Sequence, residues 1–358
     1  MAGRVGFEDR PTAIDLFAGA GGTTLGLRMS GFDVRVASDK DRTKARWLVK
    51  NHRGVHVFGA GRRTGNVRLL DADDLRLAGG LNHRRVDLLV SCPPCQGYSL
   101  QGARRIADPR NELYLEFVRM AAELKPSAVS FENVPGMLTL GDGRYLADLV
   151  ARLEELGYQT SVWNLKASEY GVPQARDRLF VVGTTEGRVG APRRTARAPT
   201  VGEAIGDLPT APLERGRSAS KPIPYATETH SKFARRMRGR RKTVTGCEVT
   251  NHSRELVARF HRLGPGEVDA GTRHRRLDSW GQATTLTAGT KSLTACRPVH
   301  PTQDRVLTVR EAARLASFPD WYRFPWQVAE AWSQIGNSVP PLMAAAVFRS
   351  IRASLPAG

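Results

Sequence analysis

Apolar and polar positions follow two rhythms in the first half of the chain. Short apolar runs at Thr12–Phe17 (TAIDLF), Phe32–Ala37, Val86–Val90 (VDLLV), Ala128–Phe131 (AVSF) and Leu179–Val182 (LFVV) have the length of buried strands. Between them, Thr23–Met29, Leu113–Leu124 and Tyr145–Leu156 place apolar residues at helical spacing, as with Leu113, Phe117, Met120 and Leu124. Strands alternating with helices predict a mostly parallel sheet with helices on both faces. After Gly183 the rhythm fails: Arg188–Ser220 is rich in Pro, Gly, Arg and Ala and keeps no period. Regular spacing returns at Thr308–Phe318 and Pro341–Ile351, and no internal repeat is present. The pattern predicts a split α/β domain, residues 1–188 plus 325–358, with a separate segment, 189–324, inserted between.

Charge changes this picture at the insert. The chain has 358 residues, 41% of them hydrophobic, enough for a buried core. It carries 54 Lys+Arg against 35 Asp+Glu, a formal charge of +19. Glu186–His300 alone holds 22 basic and 10 acidic residues, so acids thin out where periodicity is lost. A basic surface draws polyanions, nucleic acid first among them. Ser231–Lys242 (SKFARRMRGRRK) has seven basic residues and no acid. Its Arg235, Arg236, Arg238, Arg240 and Arg241 are candidate nucleic-acid contacts, against the plain reading of a solvated loop. No apolar run reaches the ~18 residues of a membrane span. The start, MAGRVGFEDR, has no apolar signal stretch, and four cysteines are too few for a disulfide scaffold. A protein of a reducing cytoplasm, with no membrane partner, is expected.

Two groups of residues carry candidate chemistry at the ends of the expected strands. Asp15-Leu-Phe-Ala-Gly-Ala-Gly-Gly22 follows a strand and opens a helix. Gly19 and Gly21 permit a tight turn and close approach of a ligand, and the helix start offers unpaired N–H groups. Asp39, at the end of the next strand, is placed to accept from ribose hydroxyls. The third position of a dinucleotide fingerprint falls on Thr24, which favours another adenosine-bearing cofactor such as S-adenosyl-L-methionine (SAM). An ordinary strand–helix turn is the alternative.

Ser91-Cys-Pro-Pro-Cys-Gln-Gly-Tyr-Ser99 directly follows VDLLV, so Cys95 lies on a stiff loop at the carboxyl edge of the sheet. A thiol held there is a candidate nucleophile. Glu132 follows AVSF in the same way and is a candidate proton donor beside it. Zinc binding by Cys92 and Cys95 lacks a second ligand pair, and Cys247, His252, Cys296 and His300 are poorly spaced, so no metal is expected. A redox dithiol is disfavoured by Pro-Pro between the cysteines. In Gln174-Ala-Arg-Asp-Arg178, alternation along a strand start would point Gln174, Arg176 and Arg178 the same way, as an oxygen or phosphate clamp. In Gly336-Asn-Ser-Val-Pro-Pro341, Asn337 and Ser338 suit an N-cap of the terminal helix.

Taken together and in this order, DLFAGAGG, PPCQGYS, ENV, QARDR, REAARLASFP and GNSVPP resemble the motifs of DNA cytosine-5 methyltransferases. The resemblance covers residues 12–183 and 305–345. It implies a doubly wound, Rossmann-like α/β methyltransferase domain, with the basic insert as a smaller target-recognition domain. It implies that Cys95 attacks C6 of a flipped-out cytosine, Glu132 acts on N3, Arg178 holds O2 and Arg176 positions the loop. Asp15, Phe17, Gly19, Gly21, Asp39, Asn66, Pro93, Asn337, Ser338 and Val339 match cofactor positions for SAM. Gln96, Ser99 and Gln174 join the insert's arginines as DNA contacts. Asn66 stands where the family has Asp as acceptor for the adenine amine, which implies weaker or retuned SAM binding. Lys40 replaces an apolar cover of the adenine. Cys92 replaces a usual Gly, which suggests sensitivity to oxidation through a bond to Cys95. The implied partner is double-stranded DNA, with a cognate restriction endonuclease in a bacterial restriction–modification system. The implied setting is monomeric and nucleoid-associated. An RNA (tRNA) cytosine-5 methyltransferase, a catalytically silent DNA-binding relative and, more remotely, a nicotinamide oxidoreductase are the competing readings.

Overall fold

The computed structural model describes residues 10–82, 84–95, 108–212, 222–288 and 297–356. Gln96, Ser99 and Cys296 lie outside the described residues. The chain divides into two compact units. The first comprises Met1–Lys166, Asp177–Arg194 and Met343–Gly358, and the second Ala167–Arg176 and Thr195–Leu342. These boundaries differ from the expected 1–188 plus 325–358 at three places, one being residues 189–194, which fold with the first unit. Residues 167–176 and 325–342 fold with the second unit, where strand pairing and helix packing engage them.

The first unit begins β1 (Thr12–Leu16), α1 (Gly22–Met29), β2 (Asp33–Ser38), α2 (Arg42–Asn51), β3 (His56–Phe58) and α3 (Ala72–Gly79). It continues β4 (Leu88–Ser91), α4 (Leu113–Leu124), β5 (Ala128–Asn133), α5 (Arg144–Glu155) and β6 (Gln159–Lys166). After β7 (Gln174–Ala175), which belongs to the second unit, β8 (Asp177–Thr184) completes a seven-stranded sheet in the order β3-β2-β1-β4-β5-β8-β6. The five strands from β3 to β5 are parallel; β8 runs antiparallel to both β5 and β6. The expected strands and helices all appear, and β3 and β6 are additional strands at the two edges.

Register decides what faces what. Ile14, Leu16, Leu89, Val129, Phe131, Leu179 and Val181 join Leu75, Phe117, Met120, Leu149 and Leu153 of α3, α4 and α5 in one apolar cluster. Alternation turns Asp15 to the other face. There α1 supplies Thr23 and Thr24, whose hydroxyls donate to Asp15 Oδ2 at 2.8 and 2.6 Å. On that face α1 touches α11 (Pro341–Ala353) so closely that a Cβ on Gly26 would lie 2.5 Å from the Ala344 Cβ.

The second unit has α6 (Val201–Ile205), α7 (Lys232–Arg238), α8 (Arg254–His261), α9 (Val309–Leu315) and α10 (Val328–Asn337). Its strands are two residues long: β9 (Ala211–Pro212) with β12 (Glu248–Val249), β10 (Ile223–Pro224) with β11 (Thr243–Val244), and β7 with β13 (Ala283–Thr284). Asn337 ends α10 and Ser338 is its C-cap, with the Ser338 hydroxyl donating to Gln334 O at 2.7 Å. The expected N-cap by these residues is therefore corrected. The Leu342 N–H at the start of α11 donates instead to Ser317 Oγ at 3.2 Å.

Phe233, Phe260, Phe318, Tyr322 and Trp332 are buried in this unit, and buried arginines add polar fastenings between its short elements. Arg314 is fully buried and donates to Asp207, to Asp320 Oδ1 at 2.8 Å and to Ala204 O at 2.9 Å. Arg310 donates to the carbonyls of Thr245 and Tyr322 at 2.9 and 3.0 Å, and Arg305 forks onto Glu311 at 2.9 and 2.7 Å. Thr308 and Glu311 form a reciprocal cap at the start of α9. Among the described residues, no helix is long and apolar enough to cross a membrane. An Arg314→Met substitution strips the buried Asp320 carboxylate of its ion pair and leaves Asp207 with Arg238 alone. It is expected to cost about 3–5 kcal/mol, read as a lowered midpoint of urea unfolding.

Candidate active site

The glycine turn is built from strain and from the bonds that hold it. Phe17 has a left-handed backbone at φ 55°, unusual for an aromatic residue, followed by Gly19 at 57° and Gly21 at 82°. Asp39 holds the turn: its Oδ2 accepts the Gly19 N–H at 2.9 Å and its Oδ1 the Asp41 N–H at 2.8 Å. Burial raises the pKa of Asp39, against the pull of Lys44 and of these two N–H groups. Gly59 and Gly65 press against the Asp39 carbonyl, where a Cβ on either would lie 2.0 Å from the oxygen. His52, buried at the end of α2, hydrogen-bonds the backbone of Gly21. Burial, with Arg28 nearby, lowers its pKa to about 3, so the imidazole is neutral. His52 carries no motif, and sequence reasoning missed it.

Asp15, expected among the cofactor contacts, is 0% exposed. That burial corrects the expectation: it offers no surface to a ligand and shapes the turn through Thr23 and Thr24. Its Oδ1 is buried without a hydrogen-bond partner among the described residues. Burial pushes its pKa up to about 7, with the two threonine hydroxyls opposing. Asn66 is half-buried, and its Oδ1 accepts the Arg68 N–H at 3.3 Å, capping the turn Val67–Leu69.

At the carboxyl edge, Ser91 of β4 pairs with Phe131 of β5, so the cysteine loop and Glu132 leave neighbouring strands together. Arg178 Nε donates to Glu132 Oε1 at 2.8 Å, and both side chains are largely buried. The Cys92 thiol also hydrogen-bonds Glu132. Burial, with Glu132 and Asp15 close by, raises the Cys92 pKa well above the ordinary thiol range and keeps the group neutral. Pro93 is buried and Cys95 half-buried. Arg110, which pairs with Asp108, is within electrostatic reach of the Cys95 sulfur. It was not anticipated, because it lies outside every motif.

The QARDR segment does not form the expected clamp. Arg176 is 2% exposed and donates to the carbonyls of Leu286 at 2.8 Å and Gly336 at 2.6 Å. Gln174 is fully buried: its amide donates to Leu315 O at 3.3 Å and accepts the Leu286 N–H at 3.4 Å. The expected DNA contact at Gln174 is corrected on that ground. β7 ends at Ala175 and β8 begins at Asp177, so the three side chains are not on one continuous strand face. In the second unit Asn337 is exposed while Ser338 and Val339 are buried. Arg235, Arg236, Arg240 and Arg241 are exposed. Arg238 is not available in the same way: it donates to Asp207 at 2.7 Å and covers the Tyr225 ring at 3.7 Å, a structural role.

A family model described as C-5 cytosine-specific DNA methylase matches residues 12–353. The chain belongs to this family. The methylase is 39% identical to Type II methyltransferase M.XorII of Xanthomonas oryzae pv. oryzae, over 97% of this chain and 85% of that one. It is 31% identical to Type II methyltransferase M.AgeI of Thalassovita gelatinovora, over 96% of this chain and 99% of that one. A prophage-encoded protein of E. coli, described as a DNA modification methyltransferase, superposes with a TM-score of 0.82 at 29% identity, covering 96% and 99% of the two chains. The methylase is a DNA cytosine-5 methyltransferase of Type II kind with the Rossmann-like fold of its family, whose members use SAM. The RNA-directed, silent and oxidoreductase readings give way.

Asp15 supplies a pH test of the glycine turn. Its folded pKa, near 7, lies above the ordinary 3.8, so its contribution to stability is present below the lower value and lost as pH rises through the higher. Asp15→Asn is expected to flatten the fall in urea midpoint between about pH 4 and about pH 7, measured beside the unaltered protein.

Proposed function

We propose that the methylase modifies C5 of a cytosine extruded from a specific duplex sequence, through a covalent bond between Cys95 and C6. The observation that carries this reading is the Glu132–Arg178 ion pair at 2.8 Å, on the strand beside the one that leads into Cys95. Cytosine C6 is a poor electrophile until N3 gains positive charge. A nucleophile and a proton donor must therefore act on the ring together. Cys95 gives up its thiol proton as the S–C6 bond forms, Glu132 passes a proton to N3, and the electron pair displaced from the ring makes C5 nucleophilic. Bound SAM supplies the methyl group that C5 takes up. A base then removes the C5 proton, the S–C6 bond breaks with its electron pair returning to sulfur, and N3 gives its proton back. Arg178 presents its guanidinium to O2. Arg176 acts on backbone, through the carbonyls of Leu286 and Gly336. Stacking blocks attack on C6 from above the ring and pairing occupies N3, which requires the base to be flipped out.

The residues of the glycine turn fit SAM. The left-handed backbone at Phe17, Gly19 and Gly21 opens space that a Cβ at either glycine would narrow, and the N-terminus of α1 suits a carboxylate. Asp39 retains lone pairs beyond its two N–H partners for the ribose. Asn66 would accept from the adenine amine in place of the family's Asp, with retuned affinity. Asn337, Ser338 and Val339 are assigned to the cofactor by the family pattern. The exposed Arg235, Arg236, Arg240 and Arg241 contact phosphates, so affinity falls steeply with salt. A cognate restriction endonuclease and monomeric action complete the reading, by analogy with the Type II relatives.

Bisulfite sequencing of DNA from cells expressing the methylase identifies the modified site. A duplex carrying 5-fluorocytosine at that site, with SAM present, is expected to remain covalently attached to the protein. Cys95→Ser is expected to abolish the trapped complex, and Glu132→Gln to lower turnover by about 10²–10⁴-fold. A methylated product without any trapped complex overturns the covalent route.

A further inference from the structure

Trp280 is 87% exposed, above every other large apolar side chain described. Tryptophan is highly buried on average, so a ring so bare stands out. Its backbone, by contrast, is fixed on both sides. The Trp280 N–H donates to Asp278 Oδ1 at 3.0 Å and the Gly281 N–H to Asp278 O at 3.3 Å. The Gly202 N–H donates to Ser279 O and the Val201 N–H to Gly281 O, each at 2.9 Å. Farther along the same segment, Ala283 pairs with Gln174, and Leu286 is held by Gln174 and Arg176. Among the described residues the indole has no hydrogen bond or ring contact of its own. A rigid turn thus presents a large flat apolar ring that the fold does not use.

The chemistry around it selects the partner. Between Arg273 and Thr285 the exposed side chains are Arg273, Arg275, Trp280, Gln282, Thr284 and Thr285. The segment's lone carboxylate, Asp278, is half-buried and committed to the turn. A bare aromatic ring in a stretch whose exposed side chains include two arginines and no acid suits a nucleobase beside its phosphates. We propose that Trp280 is a nucleobase-stacking contact, lying against a base of the bound duplex that has lost its stacking neighbour. This rests on base extrusion as read above. If extrusion itself fails, the unaltered protein gives no 5-fluorocytosine trap, whatever Trp280 does.

The test uses the full chain and a duplex carrying the methylated site. Trp280→Ala is expected to weaken duplex binding about tenfold, in line with base–aromatic stacking. Trp280→Phe is expected to restore most of that loss. The slope of log affinity against log salt should stay unchanged, since no phosphate contact is removed, and SAM affinity should stay unchanged too. The emission of the unaltered protein minus that of Trp280→Phe isolates this indole, and it should be quenched when duplex is added. Binding by Trp280→Ala within about twofold of the unaltered protein, a shallower salt slope, or an unquenched difference emission overturns the proposal.

Discussion

A carboxyl group that must meet a nucleotide base in a water-poor site has to be held in one orientation beforehand. On the reading proposed above, that group is Glu132. Arg178 Nε fixes one carboxylate oxygen at 2.8 Å, and the Cys92 thiol, kept neutral by burial and by the carboxylates of Glu132 and Asp15, hydrogen-bonds the same side chain. The rest of the first unit serves that arrangement. Parallel pairing of β4 with β5 brings the cysteine loop and the glutamate out of the sheet side by side, and antiparallel pairing of β8 with β5 carries Arg178 along the other flank. A slip of one residue in either ladder would turn the functional side chain to the opposite face.

Positive charge in the insert has two destinations. Arg276, Arg297, Arg305, Arg310 and Arg314 are buried, and Arg238 is tied to Asp207. A buried ion pair gains little over an apolar pair of the same shape, yet losing one partner is costly. These arginines thus specify the second unit more than they stabilise it. The many N–H donors of a guanidinium suit this task, since Arg310 alone reaches the carbonyls of Thr245, Pro319 and Tyr322. What remains for a polyanion is the exposed set, near α7, around α8 at Arg254 and Arg262, and in the segment around Trp280, a smaller surface than the formal charge suggests.

Local pattern carried much of the fold. α4 runs from Leu113 to Leu124, both ends as its apolar spacing predicts, because Phe117, Met120 and Leu124 all reach the core. β6 escaped because it is an edge strand that buries only Thr160 and Leu165 and leaves the apolar Val162 and Trp163 unburied. α2 escaped because only Ala45 and Leu48 of its ten residues are buried. Within the site, the ordered motifs assigned Glu132 and Arg178 to one base, and the two side chains pair at 2.8 Å. They could not reveal His52 under Gly21 or Arg110 near Cys95, since those contacts join segments far apart in sequence. Alternation misjudged Gln174 and Arg176 because the strand it assumed is broken between Ala175 and Asp177.

That break has a consequence for the chemistry. Arg176 belongs to the second unit and spends its guanidinium on backbone carbonyls of that unit; Arg178 belongs to the first and grips Glu132. A single residue, Asp177, separates them. Two arginines so close in sequence look interchangeable, yet their surroundings require different things. A Lys at 178 could keep an ion pair but would lose the planar Nε donor that fixes one oxygen, whereas a Lys at 176 would lose one of two carbonyl partners 50 residues apart in the chain. Charge alone would survive both changes, and geometry neither. The QARDR motif is therefore best understood as two separate fastenings, one on Glu132 of the first unit and one on the loops that carry Leu286 and Gly336 in the second.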